Sequence, residues 1–282
     1  MPNTAELSVP SGNVLWVLMA GNVLFVSLDR GDTWQQRGTA TGEVSFTDDH
    51  EGWLLSVGSP ETQCQSQTAR VLHTIDGGTT WQELSATGIG DWGCKSNLSF
   101  VDAEHGFLIA SSPNAAPVVY RTADGGQTWS ASSPLPDPPG FQGHPGAFSL
   151  RGGQVQALGG QLLMSVATYA DGGNRHDVYA SDDKGATWRY VATPPNAPDA
   201  SLALVTSARW LLVGPPQTSQ ETTDGGPNWH AFATDYTQAA PIAPVIVFGD
   251  AQVGYATVRG AIERTLDGGA HWTMIMTPGT SW

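Results

Sequence analysis

The sequence predicts an all-β protein, a six-bladed β-propeller of four-stranded antiparallel blades, and three observations carry that prediction. The motif Ser/Thr-x-Asp-x-Gly-x-x-Trp occurs six times, at residues 27–34, 74–81, 122–129, 181–188, 222–229 and 265–272. Its aspartates, Asp29, Asp76, Asp124, Asp183, Asp224 and Asp267, lie 47, 48, 59, 41 and 43 residues apart, the length of chain a four-stranded blade consumes. The composition agrees: 34 glycines, 19 prolines and 11 tryptophans with only 13% charged residues suit many short strands joined by tight turns.

Each residue type in the motif has a mechanical task in a hairpin. The Asp side chain accepts hydrogen bonds from backbone N–H groups of its own turn, and the Gly two residues later takes positive φ without a Cβ clash. The Ser or Thr ends the incoming strand. The tryptophans (Trp34, Trp81, Trp129, Trp188, Trp229 and Trp272) open the outgoing strand, where a ring of this size buries on the order of 200 Å². The six aspartates sit on six separate blades, so they do not converge on a metal or a substrate, and a structural role is expected for all of them.

A second pattern precedes each motif. It is clearest in Val-Ser-Phe-Thr-Asp-Asp-His-Glu-Gly-Trp-Leu-Leu at 44–55 and Leu-Ser-Phe-Val-Asp-Ala-Glu-His-Gly-Phe-Leu-Ile at 98–109, and it reads as strand, polar turn, strand. These are strands A and B of a blade. Strand C ends in the motif and strand D begins near its Trp. The expected blades are 5–38, 43–85, 96–132, 147–192, 200–232 and 245–277, in one domain spanning 1–282. His50 and His105 fall in equivalent A–B turns, where a turn role is expected over metal binding.

Charge and hydropathy exclude several functions. A net charge of −14 and a pI near 4.6 oppose nucleic acid and anionic membranes alike. The apolar stretch at 14–20 is too short to span a bilayer and is expected to be a strand. No nucleophile elbow, phosphate loop or zinc-spaced His/Cys set is present, so neither a cofactor nor a metal is expected.

In a propeller the A–B and C–D turns share one face, which leaves the B–C loops and D–A links on the other. Long loops map there, at 59–70, 86–96, 132–146, 168–177, 193–200, 214–220 and 232–244, and ligand sites are expected among them. Both cysteines belong to this rim, Cys64 in the B–C loop of blade 2 and Cys94 in the link leaving it, and a Cys64–Cys94 disulfide is expected. The bond implies an oxidising compartment. An extracellular or cell-envelope location follows as an expectation, with any signal or anchor segment lying outside this sequence.

Candidate ligand-binding residues on the rim are Trp92, Tyr236, Tyr169 and Arg175, with Asp91 and Asp235 as candidate catalytic carboxylates. Further polar candidates are Glu61, Arg70, Lys95, His144, Asp171, His176 and Asp177. An aromatic beside a carboxylate, as in Asp91-Trp92 and Asp235-Tyr236, is the combination that stacks on a sugar and bonds its hydroxyls.

The motifs together with the upstream pattern resemble the BNR/Asp-box repeat propellers, a sialidase-like superfamily of glycosidases, receptors and assembly factors. Repeat text such as Arg-Thr-Ala-Asp-Gly-Gly-Gln-Thr-Trp at 121–129 looks most like the photosystem II assembly factor group. The resemblance covers nearly the whole chain and implies an Asp box in each C–D turn. Sialidases hold their substrate with three converging arginines, and no such triad is evident among the ten arginines of this chain. The expected function is therefore a non-catalytic binding or scaffold propeller, monomeric, that recognises a protein or a glycan through its B–C and D–A face. The alternative is a glycoside hydrolase with Asp91 and Asp235 in the central funnel.

Overall fold

The computed structural model describes residues 5–19, 22–112, 115–140, 148–170, 173–197, 200–214, 218–236, 245–258 and 261–278. These form six antiparallel sheets, each built from consecutive strands. Blade 1 runs Ala5–Ser8, Leu15–Met19, Val23–Ser27, Gln35–Thr39, and blade 2 runs Glu43–Phe46, Gly52–Val57, Ala69–Thr74, Gln82–Glu83. Blade 3 comprises Cys94–Phe100, Gly106–Ser111, Val118–Thr122, Ser130–Ala131. Blade 5 comprises Ser201–Leu204, Trp210–Val213, Gln220–Thr222, His230–Ala231, and blade 6 comprises Val245–Phe248, Gly254–Val258, Ala261–Thr265, Thr273–Ile275.

Blade 4 departs from the four-strand expectation. Its A strand is split into Phe148–Gly152 and Gln156–Leu158, both paired with the long B strand Gln161–Ala170. The break falls at Gly153, whose N–H turns to the Ser165 carbonyl at 2.7 Å. Strands Gly173–Ser181 and Arg189–Ala192 complete the sheet.

The core consists of six clusters, one at each junction between neighbouring blades. Trp16, Leu18 and Leu24 of blade 1 meet Val44, Phe46 and Leu54 of blade 2, and Trp53 with Leu55 meets Leu98 and Phe100 of blade 3. Blades 3 and 4, 4 and 5, and 5 and 6 repeat the arrangement. The ring closes by packing of Leu7, Leu15 and Val17 on Val253, Tyr255 and Ile262. Two hydrogen bonds reinforce the seam, from the Trp34 indole N–H to the Met276 carbonyl (2.8 Å) and from the Tyr255 hydroxyl to the Gly12 carbonyl (3.1 Å).

The motif turns are built alike in all six blades. The Ser or Thr hydroxyl donates to the Asp Oδ1 at 2.8–2.9 Å and accepts the N–H of the Gly. The N–H four residues after the Asp donates to Oδ1. The side chain of that same residue donates to Oδ2 at 2.6–2.7 Å. Each carboxylate is thus spent within its own turn. The glycines adopt φ between 75° and 113°, where a Cβ is strained.

The A strands line the axis, and their inner edges have no further strand to pair with. Side chains take that place. Ser8 Oγ accepts the Phe46 N–H, Ser45 Oγ that of Phe100, and Ser99 Oγ that of Val155, so orphaned edge donors are satisfied from the preceding blade.

Candidate interaction surface

The B–C loop of blade 2 and the link leaving that blade form one cross-braced unit. Cys64 and Cys94 are joined by a disulfide, with Cα atoms 5.1 Å apart, as the sequence predicts. Around it the Gln67 N–H donates to the Asp91 carbonyl (2.8 Å), the Gly93 N–H to the Gln65 carbonyl (3.3 Å), and Ser66 pairs with Trp92 in an isolated bridge. Blade 3 joins in through the Ser112 hydroxyl on the Gln63 carbonyl and the Tyr120 hydroxyl, which accepts the Gly90 N–H.

Lys95 lies beneath this unit. It is buried, and its ammonium donates to the carbonyls of Gln67 (2.6 Å), Asp91 (2.6 Å) and Gly93 (3.0 Å). All three ammonium donors are thereby matched. Burial pulls its pKa down while the nearby Asp91 charge pushes it up. Lys95 is a structural clasp and not the ligand contact its sequence position suggests.

Trp92 stands on top. At 38% relative exposure it is among the few large aromatic side chains that the described surface presents to solvent, and Asp91 and Glu61 beside it are exposed. A rigid, wet-edged tryptophan is the type of group that anchors protein interfaces.

The other predicted residues separate from this surface. Tyr236 is fully buried, 5.3 Å ring to ring from Trp272 in the junction of blades 5 and 6, so the expectation that it faces a ligand is corrected. It sinks because the link after blade 5 folds onto the next blade: the Asp235 N–H donates to the Ala270 carbonyl and Thr234 Oγ1 to that of Gly269. The same fold removes Asp235 from any central funnel. Its Oδ1 accepts the Trp272 N–H at 2.8 Å, beside the D strand farthest from the axis, whereas Asp91 belongs to blades 2 and 3 across the ring. The two carboxylates thus belong to different blade junctions.

Arg175 forks onto the buried Asp177 (Nε 3.0 Å, Nη2 2.7 Å) and reaches the Thr193 hydroxyl and the Pro139 carbonyl. It braces the rim of blade 4. Burial lowers the pKa of the neighbouring His176, against the Asp177 charge. Tyr169 pairs with Asn174 at the tip of the blade-4 hairpin, and its side chain, like His144 and Asp171, lies outside the described residues. Arg70 meets Glu83 at 3.5 Å on the exposed edge of blade 2.

Sequence reasoning missed two acidic residues at the axis. Glu6 Oε1 accepts the Val44 N–H (2.8 Å) and Glu43 Oε2 accepts that of Leu98 (3.1 Å). Burial and then repulsion from Glu43 raise the Glu6 pKa to about 8, against the Val44 N–H, and burial raises that of Glu43. The available signal was a Glu two residues before the buried Ser in both A strands, Glu6-Leu7-Ser8 and Glu43-Val44-Ser45. Asp48, Asp49 and His50 bring ligand-type atoms within 4.8 Å of one another, but Asp48 Oδ1 already accepts the N–H groups of His50 and Glu51 in their turn. No helix among the described residues is long and apolar enough to cross a membrane.

The fold defines the class: a six-bladed β-propeller. No protein-family model matches the chain. A photosystem II assembly lipoprotein, Ycf48 of Synechococcus sp. (strain CC9902), is 30% identical over 140 residues, 49% of this chain and 37% of that protein. The chain therefore matches little more than a third of that relative's length. Among solved structures, YCF48 bound to a D1 peptide superposes with a TM-score of 0.52 at 17% identity, over 97% of this chain and 82% of that one. YCF48 from Cyanidioschyzon merolae gives 0.56 at 16% identity, over 97% and 86%. An α-L-arabinofuranosidase of Fusarium graminearum gives 0.57 at 12% identity, over 90% and 87%. At these identities the structural likenesses speak for the fold.

The relative that aligns by sequence is a lipoprotein of photosystem II assembly, which overturns the expected extracellular or cell-envelope location. That expectation rested on the disulfide, and a disulfide reports oxidising surroundings without specifying export.

Proposed function

We propose that this chain is a non-catalytic scaffold that binds a protein partner through the rim of blades 2 and 3, with Trp92 as the anchoring side chain. The observation that carries the reading is a half-exposed tryptophan held on a loop pair locked by the Cys64–Cys94 disulfide and the Lys95 clasp. A surface ordered before binding loses little conformational entropy on association. Likeness to Ycf48 supports a protein partner over a glycan, and the separation of Asp91 from Asp235 argues against the glycosidase alternative. The shared hydrogen-bond pattern of the six motif turns supports reading them as Asp boxes.

The D1 peptide carried by the YCF48 structure is the first ligand to test. Titration of the full chain with that peptide, followed by tryptophan fluorescence and calorimetry, should give saturable binding, and Trp92→Ala should weaken it by about tenfold or more with the melting temperature unchanged. Saturable binding that survives Trp92→Ala at full strength would remove Trp92 from the interface. No binding to this peptide or to photosystem II assembly intermediates, alongside turnover of a glycoside, would replace the scaffold reading with the enzymatic one.

A further inference from the structure

On the opposite face, where the motif turns lie, blades 3 and 4 enclose a cleft of about 350 Å3. Its apolar lining comprises Val101, Ala157, Leu162 and the fully buried Phe107. Its polar wall is a relay across the blade boundary. Both Asp102 oxygens lie 2.9 Å from His105 Nδ1, and His105 Nε2 lies 3.1 Å from Lys184 Nζ.

The donor inventory fixes the protons. An ammonium has no lone pair, so Lys184 donates to Nε2, and Nδ1 then carries the hydrogen that goes to Asp102. Asp102 is further engaged by the Glu104 and His105 N–H groups, and Asp182 at the cleft edge lies 3.4 Å from Arg189 Nε. Among the described residues Lys184 has no carboxylate partner, and two of its three N–H donors remain for a ligand.

Lys184 also occupies a position that disfavours a side chain. Four of the six motif turns have glycine there (Gly77, Gly125, Gly225 and Gly268), whereas Lys184 takes the same left-handed backbone at φ 57°. A non-glycine residue in that region carries a backbone cost that glycine does not. Arg30 is the other exception, and its Nε is committed to Asn13 Oδ1 at 2.7 Å. The chain has two lysines. With the ammonium of Lys95 clasped by carbonyls, Lys184 supplies the exposed one.

We propose that this cleft binds a carboxylate carried on a short aliphatic body, the anion on Lys184 and the alkyl group on Val101, Ala157 and Leu162. A charge-assisted bond beside an apolar lining discriminates an acid from its amide. Two sources share that chemistry, a free short-chain acid and the C-terminal residue of a peptide.

Calorimetry of the full chain at low salt tests it with four probes: isovalerate, isovaleramide, a pentapeptide ending in leucine with a free carboxylate, and the same peptide amidated. The acids should bind about tenfold or more tighter than the amides, Lys184→Gln should abolish that difference, and Lys184→Arg should restore most of it. Tighter binding of the peptide acid than of isovalerate would identify a chain terminus as the source, and the reverse a free acid. Acids and amides binding equally, no heat from either acid up to about 10 mM, or Lys184→Gln binding as the native chain does would overturn the proposal. Melting curves confirm that each variant is folded. The loop-rim reading is independent of this cleft, since Trp92 lies on the other face.

Discussion

The Glu6 carboxylate accepts the Val44 backbone N–H at 2.8 Å, and it does so as a group held largely protonated near neutral pH. It does for the A-strand edge what the serines do two residues on, but it is titratable and they are not. Below its ordinary value of 4.5, folded and unfolded chains both carry the proton. Between 4.5 and about 8 the folded chain keeps a proton that the unfolded chain releases, so stability falls as pH rises through that window and the loss is complete above it. The slope reaches at most about 1.4 kcal/mol per pH unit. Glu6→Gln retains the acceptor without the charge. Urea unfolding at pH 5 and pH 8 should show the variant more stable than the native chain at pH 8 and close to it at pH 5. An equal gap at both pH values would refute the assignment.

The motif aspartates impose the opposite slope at low pH. The Thr80 backbone N–H and hydroxyl hold Asp76 at about 2, and those of Thr187 do the same for Asp183. The Thr33 side chain lowers Asp29 and the Asn228 side chain lowers Asp224. In Asp124 and Asp267 partial burial works upward and is outweighed by bonds from Thr128 and His271. A depressed carboxylate contributes stability that is present above the ordinary value of 3.8 and lost as pH falls towards the folded value. Added to the Glu6 limb, this puts maximum stability at about pH 4 to 5. Thermal melts from pH 2.5 to 9 would trace the curve, and a maximum at pH 7 or above would contradict it.

The disulfide closes a segment of 30 residues, for which the chain-entropy model gives about 3.5 kcal/mol. Spread over a protein of this size, that corresponds to roughly 6 °C in melting temperature. Cys64→Ser, or reductant on the native chain, should lower the melting temperature by about this amount and expose 59–68 to proteolysis before any other segment. Unchanged cleavage there after reduction would mean that the Lys95 clasp alone holds the loop.

The repeats made the ring legible because each motif turn is local: Asp, Gly and Trp act within eight residues, and sequence alone displays them. The disulfide was legible for a related reason, since blade counting put both cysteines on one rim. What escaped depends on contacts between blades. Glu6 and Glu43 look like solvated strand ends until the neighbouring A strand arrives. Tyr236, in the polar run Thr234-Asp235-Tyr236, has the local text of a surface loop and is buried only because that link folds on blade 6. Lys184 and His105 meet across 79 residues, a distance no local pattern spans.

Two buried tyrosines separate the worth of a ring from that of its hydroxyl. Tyr255 and Tyr236 are both fully buried at blade junctions, and burial pushes both phenols upward, Tyr255 to about 12. The Tyr255 hydroxyl donates to the Gly12 carbonyl at 3.1 Å across the closing seam, whereas that of Tyr236 makes no hydrogen bond among the described residues. Tyr255→Phe strips the Gly12 carbonyl of its donor and should destabilise by about 1 kcal/mol, while Tyr236→Phe removes an unmatched polar atom and should stabilise by a similar amount. Tyr236→Ala, which also removes the ring from Trp272, should cost about 3 to 5 kcal/mol. Denaturant midpoints at fixed slope give the signs directly, and destabilisation by Tyr236→Phe would mean that its hydroxyl has a partner, such as an ordered water.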